Sequence, residues 1–269
     1  MSIFKLVDQA VLHESIGDIG VVKNQGVYHH LDLHSDLSSM DKEELLTNAN
    51  KQLQTVGNQL SETAIIIYTF GTAIVYEWKE TGEIVANCHK VPQNKFNRRF
   101  LEIDEIIHAF KVNYNLLKNM NKQVRFILTV SPVRHQKESF EQNNVSKSLL
   151  RIACEKIVSE YANVDYFPAF EIMMDELRDY RFYAEDMLHP NTIATEYIWQ
   201  KFQEVYFDEG LKQFIRKWEK VRKALAHRPF NINSEQHQVF IQKTISLLEE
   251  FKHQVDIEPE LKLLRMQLK

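Results

Sequence analysis

Two short apolar runs constrain this chain most: TAIIIYTF at 63–70 and VRFILTVS at 124–131. Each is too short for a core helix and rich in β-branched and aromatic residues, which predicts strands buried on both faces. Between them Ile103, Ile106, Ile107, Phe110 and Leu117 recur at helical spacing, predicting a helix over about 103–118. After the second run, Leu149, Leu150, Ala153, Cys154, Ile157 and Tyr161 mark a helix over 145–161. A short strand, VDYFPA (164–169), and a helix from about Thr192 to Tyr206 follow. Strands alternating with amphipathic helices predict parallel β-α-β units, an α/β sheet sandwiched by helices. Ligands of such sheets bind off the carboxyl ends of the strands. Those ends are Phe70-Gly71-Thr72 and Ser131-Pro132-Val133-Arg134-His135.

Upstream, GVVKNQGVYHHLDL (20–33) predicts a hairpin turning near Asn24-Gln25-Gly26. Leu46, Ala49, Leu53, Val56 and Leu60 predict a helix over 41–60, with Asp41 and Glu44 placed as a capping box. Downstream the character changes. GLKQFIRKWEKVRKALAHR (210–228) is a basic amphipathic helix, HRPFNIN a break, and a last helix spans about Ser234–His253. The expected division is an α/β domain over 1–207 and a helical extension over 208–269.

Within AEDMLHP (184–190), Asp186 and His189 stand three apart, close enough on one turn or a tight loop to be neighbours. Asp186 can then hold one ring nitrogen of His189 and leave the other to work as a base. Such a pair is common and by itself equally compatible with a solvated loop. Its position, beyond the third strand and on the same predicted edge as the other strand ends, gives it weight.

Bulk properties exclude several classes. There are 33 basic and 37 acidic residues, a formal charge of −4, which argues against a general nucleic-acid binder. No apolar run approaches the roughly 20 residues of a membrane helix, and Lys5, Asp8 and His13 interrupt any signal-peptide core in the opening residues. With only Cys88 and Cys154 there is no disulfide framework, so a cytoplasmic setting is the default. His29, His30, Asp32 and His34 have metal-ligand composition, but no further Cys/His set completes a tetrahedral site. Arg134 and His135 can hold a substrate anion or form a solvated pair. Tyr180, Arg181, Phe182 and Tyr183 can line a pocket or pack beneath the loop.

The runs FGTAIVYEWKETGEIVANCHKVP (70–92), TVSPVRH (129–135) and FPAFEIMMDELRDYRFYAEDMLHP (167–190) together resemble the GSCFA-domain family over roughly residues 25–206. That resemblance implies an SGNH-type hydrolase on a flavodoxin-like sheet, acting on O-acyl esters of a small molecule or carbohydrate without metal or organic cofactor. It implies Asp186 and His189 as two members of a catalytic triad and Gly71 and Asn87 as oxyanion donors; His34 and Ser35 match a family His-Ser stretch, His34 being either a substrate-binding candidate or an exposed hairpin residue. The early G-S-C-F-A stretch that would carry the nucleophile does not occur in the sequence, and no glycine is followed directly or two positions later by serine. Ser131 is a weak substitute, since a serine before proline is an ordinary strand end. The expected reading is therefore an N-terminally incomplete sheet of three strong strands and a hydrolase-like chain inactive by itself. A binding protein derived from a hydrolase is the alternative. An open sheet edge also predicts a homo-oligomer.

Overall fold

The computed structural model describes residues 1–135, 137, 139–227 and 234–268. Contacts divide the chain into two compact units, Met1–Ile198 and Trp199–Lys269. The predicted break at HRPFNIN lies, apart from His227, outside the described residues.

The first unit begins with a helix that the sequence reading did not anticipate, α1 (Ser2–Leu12), whose Phe4, Val7 and Ala10 are buried. The hairpin is formed by β1 (Val21–Asn24) and β2 (Val27–His30), paired antiparallel. Its turn residues Gln25 and Gly26 sit at φ 50° and 85°, the left-handed backbone that a tight two-residue hairpin requires. Helix α2 (Lys42–Leu60) is capped by Asp41, whose side chain accepts from the Glu43 and Glu44 N–H groups. The reciprocal half of the box is absent, because the Glu44 carboxylate takes the Ser39 hydroxyl at 2.5 Å. The buried stripe of α2 is Leu45, Ala49, Leu53 and Gly57, so the predicted Ala49 and Leu53 are core, Leu46 and Leu60 pack partly buried at its margin, and Val56 is exposed. α1 sets this phase: at Gly57 the backbone carbonyl of Ala10 comes so close that a Cβ would lie 2.4 Å from its oxygen.

β3 (Ile65–Phe70), β7 (Arg125–Val130) and β8 (Val164–Tyr166) form a parallel sheet in the order β3-β7-β8, with Ile65 opposite Arg125 and Phe126 opposite Val164. Between β3 and β7 the chain builds a separate antiparallel sheet, β5-β4-β6, from β4 (Ile74–Trp78), β5 (Ile84–Val85) and β6 (Phe96–Phe100). Helix α3 (Ile103–Met120) then returns the chain to β7, and α4 (Ser139–Glu160) joins β7 to β8. Phe4, Tyr68, Phe110, Phe126 and Leu128 form the centre of the core, together with Leu150, Cys154 and Ile157 of α4. Burial raises the Cys154 thiol to about 12, which leaves it an inert packing residue. A polar chain crosses this core: the Tyr68 hydroxyl donates to Asn113 at 2.6 Å, and Asn113 donates to Asp8 at 2.7 Å.

β7 is buried on both faces, as expected. β3 is not. Its Ile65 and Ile67 are 49% and 50% exposed, because β3 is the edge strand and only its Tyr68/Phe70 face is covered. After β8 a short helix, α5 (Ala169–Glu171), runs into a π turn (Ile172–Glu176), and α6 (Thr192–Tyr206) carries the chain across the boundary between the units.

The second unit is helical: α7 (Glu209–Ala226), α8 (Glu235–Glu249) and α9 (Glu258–Arg265). Val221, Ile241, Leu248, Phe251, Leu261 and Leu264 form its core. The last predicted helix ends earlier than expected, and α9 starts after Asp256 with Pro259 in its first turn, where proline is tolerated. Among the described residues no helix is long and apolar enough to cross a membrane.

Candidate functional site

At the carboxyl edge of the sheet, β3 runs out at Gly71 and β7 at Ser131, and a lysine from α4 ties the two ends together. Lys147 is 1% exposed and its ammonium donates to the Gly71 carbonyl at 2.6 Å and to the Ser131 carbonyl at 2.7 Å. Burial holds it down at about 8. Its neighbour Ser146 accepts from the Ala73 N–H at 2.7 Å and bonds the Thr72 hydroxyl at 3.0 Å. Neither residue was singled out by sequence reasoning, since a polar pair inside an amphipathic helix carries no spacing signal.

A Cβ at Gly71 would meet only His135 Nε2, at an ordinary 3.6 Å. His135 is fixed by its own N–H, which donates to Asn143 at 3.0 Å. Next to it Arg134 reaches the 184–190 loop. Its backbone N–H donates to the Leu188 carbonyl at 3.3 Å and its guanidinium to the Met187 carbonyl at 3.4 Å. The guanidinium also lies 4.1 Å from the centre of the Tyr183 ring, a cation–π contact. Tyr183 is buried and Tyr180 exposed, so this aromatic stretch packs under the loop with only part of its surface.

The loop is closed from within. Ala184 N–H donates to the His189 carbonyl at 2.8 Å, and Tyr183 bridges Pro190. Asp186 Oδ1 accepts from the N–H groups of Leu188 (2.9 Å) and His189 (3.0 Å), while Oδ2 takes the His189 ring at Nδ1, 2.6 Å away. Met187, between them, is held at φ 60°. The two backbone N–H groups, and after them the ring, hold the Asp186 carboxyl down at about 2. An ionised Asp186 accepts from a proton-bearing Nδ1, which turns Nε2 away from the pair. Among the described residues no hydrogen bond occupies Nε2, and both side chains are about half exposed. The arrangement is that of an oriented imidazole facing outward beside the end of β7.

The other candidates are placed elsewhere. Asn87 Oδ1 accepts from the His89 N–H at 2.9 Å, and the Asn87 backbone donates to the Leu31 carbonyl, so both serve the turn against the hairpin. His89 is buried, with Nε2 between the carbonyls of His30 and Leu33 at 2.9 and 3.0 Å, and its ring stacks on His29. His34 is exposed and caps a 3-10 turn at Ser35–Leu37, accepting from the Asp36 N–H. Asp32 pairs with Lys5 at 2.9 Å. Among the described residues no group of three or more His, Cys, Asp or Glu side chains is gathered as a metal site needs. Ser131 Oγ accepts from the Val133 N–H at 3.2 Å, consistent with a strand terminator.

Fold and site together define an α/β protein with an Asp-His pair at the carboxyl edge of a parallel sheet. The chain matches the model of the GSCFA family over residues 1–202, three quarters of its length, and belongs to that family. Residues 218–269, in which no motif is legible from the sequence, match the GSCFA domain protein C-terminal domain. No curated protein and no solved structure matches the chain.

Proposed function

We propose that this site is the acid–base half of an acyl-transfer centre of the SGNH-hydrolase type, with O-acyl esters as its substrate class. The observation that carries the reading is the Asp186 Oδ2 to His189 Nδ1 hydrogen bond of 2.6 Å, which leaves Nε2 free. In that role Nε2 takes a proton from an attacking hydroxyl and returns it to the leaving alcohol, and Asp186 holds the ring and stabilises its cationic form. Gly71 is the candidate oxyanion donor from this edge, its N–H unpartnered among the described residues. Asn87 would have to donate through its side-chain amide, its Oδ1 being held by His89.

Among the described residues no serine or threonine hydroxyl is hydrogen-bonded to Nε2. The chain alone is therefore expected to lack esterase activity, since loss of a triad nucleophile typically costs several orders of magnitude in rate. The same observation favours the second reading, a non-catalytic binding protein built on this edge. Hydrolysis of short-chain p-nitrophenyl esters separates the two. The chain alone should be no faster than His189→Ala. A peptide carrying a Gly-Ser-Cys-Phe-Ala strand, fused ahead of residue 1, should restore a rate that His189→Ala abolishes. Absence of any gain in the fusion leaves the binding reading, and a His189-dependent rate in the unmodified chain would mean that a hydroxyl such as Ser131 or Ser35 attacks.

A further inference from the structure

The first turns of α4 carry a polar face. Asn143, Ser146 and Lys147 stand at i, i+3 and i+4 and so share one side of the helix. All three bond main-chain groups of the segments that follow β3 and β7. Lys147 donates to the Gly71 and Ser131 carbonyls, Ser146 accepts from the Ala73 N–H, and Asn143 accepts from the His135 N–H. One helix therefore grips both strand ends. The segment after β7 is also stiff within itself, since Pro132 fixes its own φ and Ser131 Oγ accepts from the Val133 N–H. It delivers Arg134, whose N–H and guanidinium donate to the Leu188 and Met187 carbonyls of the loop that carries His189. A continuous run of bonds leads from the Lys147 ammonium to the Asp186–His189 pair.

Stability alone does not call for a cation here. Burying an ammonium costs free energy that an apolar side chain of similar length would not, and the depressed proton affinity of Lys147 records that cost. Buried charges of this kind concentrate at functional sites. We infer that Lys147 is the positioning residue of the site, holding Gly71 and, by way of Arg134, the His189 loop in one fixed frame. This role rests on the acyl-transfer reading proposed above. An oxyanion donor and a base serve one reaction only when each is held within about 0.5 Å of its productive place. Gly71 and His189 lie on separate segments of the chain, and the polar face of α4 gives them a common reference.

Amide hydrogen exchange on the intact chain at pH 7, read residue by residue by NMR, tests the frame without requiring turnover, so a failure here and a failure of ester hydrolysis are separate results. In Lys147→Met the N–H groups of Arg134, Ala184 and His189 should exchange about tenfold faster, the factor expected from one lost hydrogen bond. The N–H of Phe126, which bonds the Asn163 carbonyl at the far end of the sheet, should keep its rate. Arg134→Met cuts the run further along without touching the core. It should loosen Ala184 and His189 while leaving the Ala73 and Ser131 N–H groups as protected as in the parent. Because both substitutions act along one run, the double variant should match the looser of the two single variants at Ala184 and His189. Uniform acceleration in Lys147→Met, Phe126 included, would make Lys147 a general stabiliser and overturn the assignment. A loop unmoved in either single variant, or effects that multiply in the double variant, would overturn it as well.

Discussion

Replacing Lys147 by methionine isolates the energetic cost of the buried ammonium that joins β3 to β7. Its affinity for a proton falls from the ordinary 10.5 to about 8 on folding, with burial as the cause. Below pH 8 the folded and unfolded chains both hold the proton, and the full cost of burying the charge is present. Between about pH 8 and 10.5 the unfolded chain still holds it while the folded chain has released it. Unfolding then takes up a proton, and stability rises with pH. At about 1.4 kcal/mol per tenfold change in affinity, the rise is about 3 kcal/mol. Methionine removes charge and donor together, leaving the Gly71 and Ser131 carbonyls without Lys147, at about 1–3 kcal/mol each. The relief and the loss nearly offset at neutral pH, so absolute stability there is a poor test. The slope is the test. Urea unfolding of the first unit can be read from Trp78 fluorescence once Trp199 and Trp218 are changed to phenylalanine. Measured at pH 7.5 and 10, which span most of that window, the parent should gain about 2 kcal/mol relative to Lys147→Met. Parallel curves for the two proteins would refute a charged, desolvated Lys147 between the strand ends.

Two further substitutions test local claims. Gly57→Ala would normally favour a helix by about 1 kcal/mol, but here its methyl group meets the Ala10 carbonyl; it should instead destabilise the first unit by about 1–3 kcal/mol in the same urea assay, and a gain in stability would show that α1 does not pack so closely. The Asp186 carboxyl, followed by NMR, should titrate near pH 2, so that the loop contact is fully present above the ordinary 3.8 and lost as pH falls through the folded value; because the backbone N–H groups are the main cause, His189→Ala should leave it well below 3.8, and a return to 3.8 would show that the ring, not the loop, holds it down.

Periodicity made the sheet legible because β7, α3 and α4 obey it: a continuous apolar run between amphipathic helices has few other solutions. The same run misleads at β3. An unbroken series of isoleucines looks identical whether one face or both are covered, and only the sheet order shows that β3 stands at an edge. Helix α1 is legible in Phe4, Val7 and Ala10, which share one side, although Lys5 and Asp8 break the apolar run between them. On α2 the predicted Ala49 and Leu53 are buried, and Val56 alone falls on the exposed side, because the contact with α1 draws the stripe toward Leu45 and Gly57. At the site, the spacing of Asp186 and His189 is local and therefore readable, and the strand-end position of Arg134 placed it correctly beside them. Lys147 and Ser146 act across 76 and 73 residues of sequence on Gly71 and Ala73, a relation that exists only after the sheet has formed. Asn87 illustrates the opposite difficulty: a short polar residue two positions before a left-handed residue is first of all a turn former, and here it bonds the His89 N–H.

The Asp186 carboxylate, shared between two backbone N–H groups and one imidazole, makes the position of the ring inseparable from the path of the chain. A residue inserted or deleted between 186 and 189 would not merely lengthen a contact; it would dissolve the loop that supplies it. Between them Met187 stands on a left-handed backbone and the Leu188 carbonyl accepts from the Arg134 N–H, so the main chain and not the side chains of these two residues carries the turn. The heptapeptide behaves as a cassette. It can be grafted or lost whole, but not tuned by length.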